Sequence, residues 1–141
     1  MERVVFACRH NAGRSQMASG FFRRLADPAR ASAVSAGTTP APSLHPEVVA
    51  VMLEAGIDLS SARPQLLTPA VAAGARLLVT MGCAEECPYI AGAEVEDWPL
   101  EDPKGKPLER VRRIRDEIRD RVAALVARRG WSRAAEGAPS R

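Results

Sequence analysis

Cysteine, histidine and aromatic residues are all scarce in this chain of 141 residues: it has three cysteines, two histidines and 4% aromatics. Three cysteines, few and odd in number, do not make the paired framework that staples a small secreted domain. No apolar run approaches the ~20 residues a bilayer span needs. The opening MERVVFACRH has neither the basic leader nor the long apolar stretch of a secretory signal. These absences predict a cytoplasmic protein with no membrane partner, in which thiols are catalytic, redox-active or metal-binding rather than structural. A charge excess of one sign is missing as well. The net +3 resides entirely in residues 128–141, where Arg128, Arg129, Arg133 and Arg141 face Glu136 alone. A neutral body with a short basic tail has no electrostatic footprint for a polyanion, so no nucleic-acid partner is expected. Zinc usually takes four ligands. Beside Cys83 and Cys87 only His10 and His45 remain, and His45 precedes a helix-opening proline, where it caps the helix or faces solvent. No metal is expected.

What is present is a core. Hydrophobic residues make up 46% and charged residues 26%, which suits one soluble domain. Residues 1–129 read as that domain and 130–141 as a flexible basic tail. RVVFA (3–7) is a short buried-strand run. A helix starts near Arg14, with Met17, Phe21 and Leu25 on its inner stripe and Ala18 and Phe22 beside them. ASAVSAG (31–37) reads as a second strand. Pro46 opens a helix whose face is Val48, Val51, Met52 and Ala55, stopped by Gly56. Thr68 caps a short helix opened by Pro69 and ended by Gly74. ARLLVTM (75–81) and AEVEDW (93–98) are the third and fourth strands. Pro107 opens a long helix striped by Val111, Ile114, Ile118, Val122 and Leu125. Strands alternating with helices predict an α/β domain, a small four-stranded parallel sheet with helices on both faces.

In such a sheet, ligands bind outside the carboxyl ends of the strands. Cys8 follows the first strand, Cys83 the third and Asp102 the fourth, so three reactive groups fall on one edge. Between Cys8 and Ser15 the chain runs CRHNAGRS. The amides of Arg9, His10, Asn11, Ala12, Gly13, Arg14 and Ser15 lie in a loop that feeds a helix N-terminus, where N–H groups and the helix dipole favour a tetrahedral anion. Ala12 and Gly13 keep the inside of the curl free of bulk. Arg14 offers a planar fork for two oxygens. The same field favours a thiolate at Cys8, and Ser15 is in reach to donate a hydrogen bond to the sulfur. The inert alternative is a buried small thiol beside an ordinary surface arginine. The strand before the motif and the helix after it favour the nucleophile.

VVFACRHNAGRSQMA (4–18) resembles the signature of the low-molecular-weight protein tyrosine phosphatase superfamily, and more closely the arsenate reductases built on that fold. VSAGT (34–38), LLVTMGC (77–83), EDWPLEDPKGKP (96–107) and VRRIRDEIRDRV (111–122) are similar to that branch in order and spacing. The resemblance covers residues 3–127 and implies a flavodoxin-like topology. It implies Asp102, in Asp102-Pro103, as the general acid. Phosphatases of this fold carry aromatics after that pair to grip a phosphotyrosine ring. Here the loop reads DPKGKP, and the one tyrosine, Tyr89, lies elsewhere. The resemblance thus favours arsenate as substrate. Cys8 attacks it, Cys83 attacks the Cys8 sulfur to release arsenite, and Cys87 resolves to a Cys83–Cys87 disulfide. No bound cofactor is implied, only an external thiol reductant: thioredoxin, or a low-molecular-weight thiol such as mycothiol with its redoxin. Two alternatives stay open, a phosphatase using Cys8, Arg14 and Asp102, and an anion-binding redox sensor. Some reductases of this family hold a potassium ion beside the loop with an asparagine, a serine and two carboxylates. Asn11 and Ser35 match, but Ser19 and Gln65 stand where the carboxylates belong, so Asn11 is expected to brace the loop by hydrogen bonds instead.

Overall fold

The computed structural model describes residues 1–82 and 90–133. Cys83 and Cys87, and the far end of the predicted tail, lie outside the described residues. The elements follow the predicted order: β1 (Glu2–Cys8), α1 (Arg14–Leu25), β2 (Ala31–Gly37), α2 (Pro46–Glu54), α3 (Pro69–Ala72), β3 (Leu77–Thr80), β4 (Glu94–Asp97) and α4 (Leu108–Arg128). The four strands form one sheet in the order β2-β1-β3-β4, and every pairing is parallel. The register aligns the carboxyl ends: Cys8 sits opposite Gly37, Ala7 opposite Thr80, and Thr80 opposite Asp97. The strand order reverses at β1, so the crevice expected of such a sheet opens above Cys8.

Alternation along β1 divides the core. Val4, Phe6 and Cys8 face α1, α2 and α4, while Val5 and Ala7 face the other way with Leu78, against Ala75, Leu67 and Ile90. α3 borders this second side, where the Arg3 guanidinium donates to the Val71 carbonyl at 2.9 Å. The few aromatics are concentrated on the helical side. Phe6 meets Phe22 edge-on at 5.8 Å and Trp98 at 5.9 Å, and Phe22 in turn meets Trp131 at 5.9 Å. The predicted stripe of α4, from Val111 to Leu125, is buried throughout. α1 departs from a simple amphipathic pattern: Arg14, Ser15, Gln16 and Ser19 are buried along with Met17 and Phe21, because its first turns serve the site rather than the core.

Three boundaries differ from the sequence expectation. β3 starts at Leu77 rather than 75, because the Ala75 amide still bonds the Ala72 carbonyl of the α3 turn. β4 is confined to 94–97 and is an edge strand. Its rim is blunted by ion pairs from Glu94 to Arg129 and from Glu96 to Arg128. The expected tail does not begin at 130. Trp131 is buried against Phe22, its carbonyl accepts the Asp27 amide at 2.7 Å, and the Arg133 guanidinium closes the last carbonyls of α1 at Arg23 and Arg24.

Burial assigns unequal weight to these residues. Phe22→Ala removes the ring that links Phe6 to Trp131, and is expected to cost about 3–5 kcal/mol, read as a lower urea midpoint. Val95→Ala, at a largely exposed position on the edge strand, is expected to stay within about 0.5 kcal/mol.

Candidate active site

The loop after β1 is held from outside. Its carbonyls accept, one after another, from the amides of a single neighbouring segment: Cys8 O from Thr38 at 3.3 Å, Arg9 O from Thr39 at 2.8 Å, His10 O from Ala41 at 2.9 Å and Ala12 O from His45 at 3.0 Å. The Asn11 carbonyl is taken by Gln16 Nε2 at 3.1 Å, and the Gly13 carbonyl enters the helix by accepting the Met17 amide. None of the described peptide bonds is cis. In a trans peptide the N–H points opposite to the C=O of the same unit. Carbonyls drawn outward from Cys8 to Ala12 therefore turn the amides of Arg9, His10, Asn11, Ala12 and Gly13 inward. The Asn11 amide makes this visible, donating to Cys8 Sγ at 3.3 Å. Asn11 accordingly has φ 52, the sole positive value among the described non-glycine residues. α1 then starts at Arg14 with no capping side chain over its opening amides.

Cys8 lies at the floor, 2% exposed. Ser15 Oγ is 2.9 Å from its sulfur, and Asn11 Nδ2 donates to Ser15 Oγ at 2.7 Å. Arg14 closes one wall. Its guanidinium donates to the Leu100 carbonyl at 3.1 Å and stands 3.9 Å from the Asp102 carboxylate. Gly82, at the end of β3, lies flat against the same guanidinium, and a Cβ there would collide with it. Asp102 is fixed by an Asx turn, accepting the Lys104 amide at 3.0 Å, and remains partly open to solvent. Pro103 seats directly over Gly13, where a Cβ would come within 2.9 Å of its ring and 3.4 Å of His45. The structure thus brings together Cys8, Asn11, Arg14, Ser15 and Asp102, with Gly13 as the contact to the acid loop. Cys83 and Cys87 lie outside the described residues.

Sequence reading gave His45 only a cap or a solvent-facing role. Its carbonyl does start α2, accepting from Val48 and Val49, but its ring lies beside Gly13 of the loop. Burial pushes its pKa below the ordinary histidine value, opposed by Glu47 and Asp102 and reinforced by Lys104 and His10. The segment 38–45 that turns the amides inward carries no motif of its own. The one available signal was Gly37: a Cβ there would lie 2.7 Å from the Arg9 carbonyl oxygen and 2.9 Å from the Asn11 nitrogen.

The monovalent cation suggested by the resemblance does not fit these residues. Asn11 Oδ1 accepts from the Gln65 amide at 2.9 Å and from Gln16 Nε2 at 3.2 Å. The Ser35 carbonyl accepts Gln65 Nε2 at 2.8 Å, and Ser19 Oγ accepts an Arg23 N–H at 2.9 Å. An ion here would meet N–H hydrogens instead of a shell of open oxygens, and none of the four residues is a carboxylate.

The profile of the family described as low molecular weight phosphotyrosine protein phosphatase matches residues 3–130. A Synechocystis protein named glutaredoxin arsenate reductase is 34% identical over 131 residues, covering 91% of this chain and 98% of that one. The structure of a thioredoxin-dependent arsenate reductase from Corynebacterium glutamicum superimposes with a TM-score of 0.78 at 35% identity, over 91% of this chain; the chain spans 61% of that longer protein. A low molecular weight protein tyrosine phosphatase from T. tengcongensis superimposes with a TM-score of 0.77 at 26% identity, over 91% of this chain and 99% of that one.

Two outcomes test this geometry. Gly37→Ala is expected to push the loop off its seat and weaken the protection of Cys8 from alkylation by inorganic phosphate roughly tenfold or more, the loss of one or two anion hydrogen bonds. His45, neutral in the fold below its ordinary value, makes the protein lose stability as pH falls from about 6.5, since the unfolded chain then binds the extra proton. Melting temperatures of wild type and His45→Gln between pH 7.5 and 5.5 should converge at the alkaline end, with the variant falling less toward acid.

Proposed function

We propose that this chain, which belongs to the low molecular weight phosphotyrosine protein phosphatase family, is an arsenate reductase. The observation that carries the reading is the inward-turned loop around Cys8 Sγ, a hollow for a small tetrahedral oxyanion with a nucleophilic sulfur at its floor. The rim supports a small inorganic substrate over an aryl ester. The acid loop continues as Lys104, Gly105 and Lys106, and offers no ring to stack on a phenol. The names of the Synechocystis and Corynebacterium relatives point the same way.

In the proposed cycle the Cys8 thiolate attacks arsenic while Arg14 and the loop amides hold the remaining oxygens. Asp102 gives its proton to the departing oxygen, which leaves as water. The product is a Cys8–arsenate thioester with arsenic still pentavalent. Cys83 then attacks the Cys8 sulfur. A Cys8–Cys83 disulfide forms, the electron pair of the S–As bond stays on arsenic, and arsenite leaves. Cys87 attacks Cys83 and frees the Cys8 thiolate. The Cys83–Cys87 disulfide is reduced from outside by a thiol donor: a thioredoxin or glutaredoxin, or a low-molecular-weight thiol such as mycothiol with its redoxin. Support for Cys83 is its position in sequence directly after Gly82, which lies against the Arg14 guanidinium.

The test is arsenate turnover by wild type and by Cys8→Ser, Cys83→Ser and Cys87→Ser with each class of donor, beside an aryl phosphate assay. Cys8→Ser should be inactive, and a Cys8–Cys83 bond should accumulate in Cys87→Ser by mass spectrometry. Aryl phosphate hydrolysis without arsenate turnover would make the chain a phosphatase. Asp102→Asn is expected to lower kcat about a hundred- to ten-thousandfold, the range for a lost general acid. An unchanged kcat in that variant would remove Asp102 as the acid; anion binding by wild type without turnover of either substrate would favour an anion-binding redox sensor.

A further inference from the structure

Gln16 is buried, and nothing in the proposed cycle uses it. Its side-chain amide nitrogen lies within hydrogen-bond distance of three acceptors at once: the Asn11 carbonyl at 3.1 Å, Asn11 Oδ1 at 3.2 Å and the Arg63 carbonyl at 3.2 Å. Two hydrogens serve three oxygens, so the group is shared between the loop and the chain that leads to Gln65. Both Asn11 oxygens are pinned by this one residue.

The orientation of the Asn11 amide follows from its neighbours. The Gln65 main-chain nitrogen, which only donates, is 2.9 Å from one end, so that end is the oxygen. The other end, Nδ2, must then donate to Ser15 Oγ at 2.7 Å. With a lone pair of Ser15 occupied in this way, its own hydrogen is directed to the remaining neighbour, Cys8 Sγ, at 2.9 Å. The chain has one polarity from end to end: Gln16 and Gln65 donate to Asn11, Asn11 to Ser15, and Ser15 to the sulfur. A thiolate only accepts, and this arrangement gives it two hydrogens, the second from the Asn11 main chain at 3.3 Å.

We propose that Gln16 is a positioning residue for Cys8: it holds Asn11 in the left-handed conformation and fixes the direction of a hydrogen-bond chain that ends on the sulfur, a task it performs with no metal ion. The inference rests on Cys8 being the nucleophile of the reading above. It extends that reading to a residue one step past Ser15, which touches neither sulfur nor substrate.

The experiment reads the thiol directly. In a Cys83→Ser/Cys87→Ser background, where Cys8 is the one cysteine left, the rate of alkylation by iodoacetamide at pH 7 is measured for the parent, Gln16→Met, Ser15→Ala and the double variant. Gln16→Met and Ser15→Ala are each expected to slow alkylation about five- to tenfold, the scale of one net hydrogen bond. The double variant should be no slower than Ser15→Ala, because both changes break the same chain. Equal rates in Gln16→Met and parent, or slowing that adds to that of Ser15→Ala, would overturn the proposal and leave Gln16 a structural brace. Should Gln16→Met fail to fold, Gln16→Glu keeps the shape, replaces the donating nitrogen with an acceptor, and carries the same expectations. A parent Cys8 no faster than a free cysteine would instead sink the nucleophile reading. The two failures are therefore distinguishable.

Discussion

The site depends on a constraint placed outside it. A short loop lined by amides on its concave side is unstable alone, since its carbonyls must be satisfied elsewhere and its inner dipoles repel one another. Here the carbonyls of Cys8, Arg9, His10 and Ala12 are each held by an amide from residues 38–45, and that of Asn11 by Gln16. The inward direction of the N–H groups is a consequence of peptide planarity once those bonds exist. The anion hollow is thus preorganised by neutral hydrogen bonds on its far side, and no charge beneath the loop is needed to assemble it. Preorganised dipoles of this kind need little reorganisation when charge develops in a transition state.

The sheet makes that arrangement possible. β1 and β2 end in register, so the chain leaving Cys8 and the chain leaving Gly37 start side by side and run together over the same edge. Gly37 must lack a Cβ because the Arg9 carbonyl and Asn11 amide occupy that space. Beneath, Phe6, Phe22, Trp98 and Trp131 fill the layer between β1 and the helices with most of the aromatic area the chain possesses. Each well-buried large side chain contributes about 1.5–3 kcal/mol. Through Phe22 that layer anchors the later turns of α1, whose first turn carries Arg14, Ser15 and Gln16 at the expense of its own amphipathic pattern.

The sequence makes the frame legible because period and punctuation agree. The stripes of α4 and α2, the prolines at 46, 69 and 107, and the cap at Thr68 all mark elements that the structure contains. The clustering of Cys8, Arg14 and Ser15 was legible for a different reason: a thiol at a strand end, a small-residue curl and a helix start have chemical meaning together. What escaped was non-local. Residues 38–45 fall between the second strand and the helix opened by Pro46, and nothing in them announces that their amides face the carbonyls of residues 8–12. The tail starts later than expected because residues from 130 onward read as small and polar, while Trp131 is drawn back by the aromatic layer it completes. His45 was missed because its ring position depends on a contact with Gly13 and Pro103 that closes across the fold.

Arg14 is where these strands of the structure join. Its guanidinium is buried, yet its partners are a main-chain carbonyl at Leu100 and a half-exposed carboxylate at 3.9 Å. At that separation, with the carboxylate half in solvent, the pair is a loose one. Its consequence is geometric. The fork is oriented by Leu100, stays close to Asp102, and rests on the bare backbone of Gly82, which adopts φ +89 and has no room for a side chain. Arg14 is thereby held in one orientation beside both the Cys8 loop and Asp102. Gly82, the last described residue before position 83, lies against that guanidinium. The Cys8 loop and Asp102 meet at one side chain, so their arrangement is sensitive to its orientation, and the glycine at 82 is as much a part of the site as the arginine it supports.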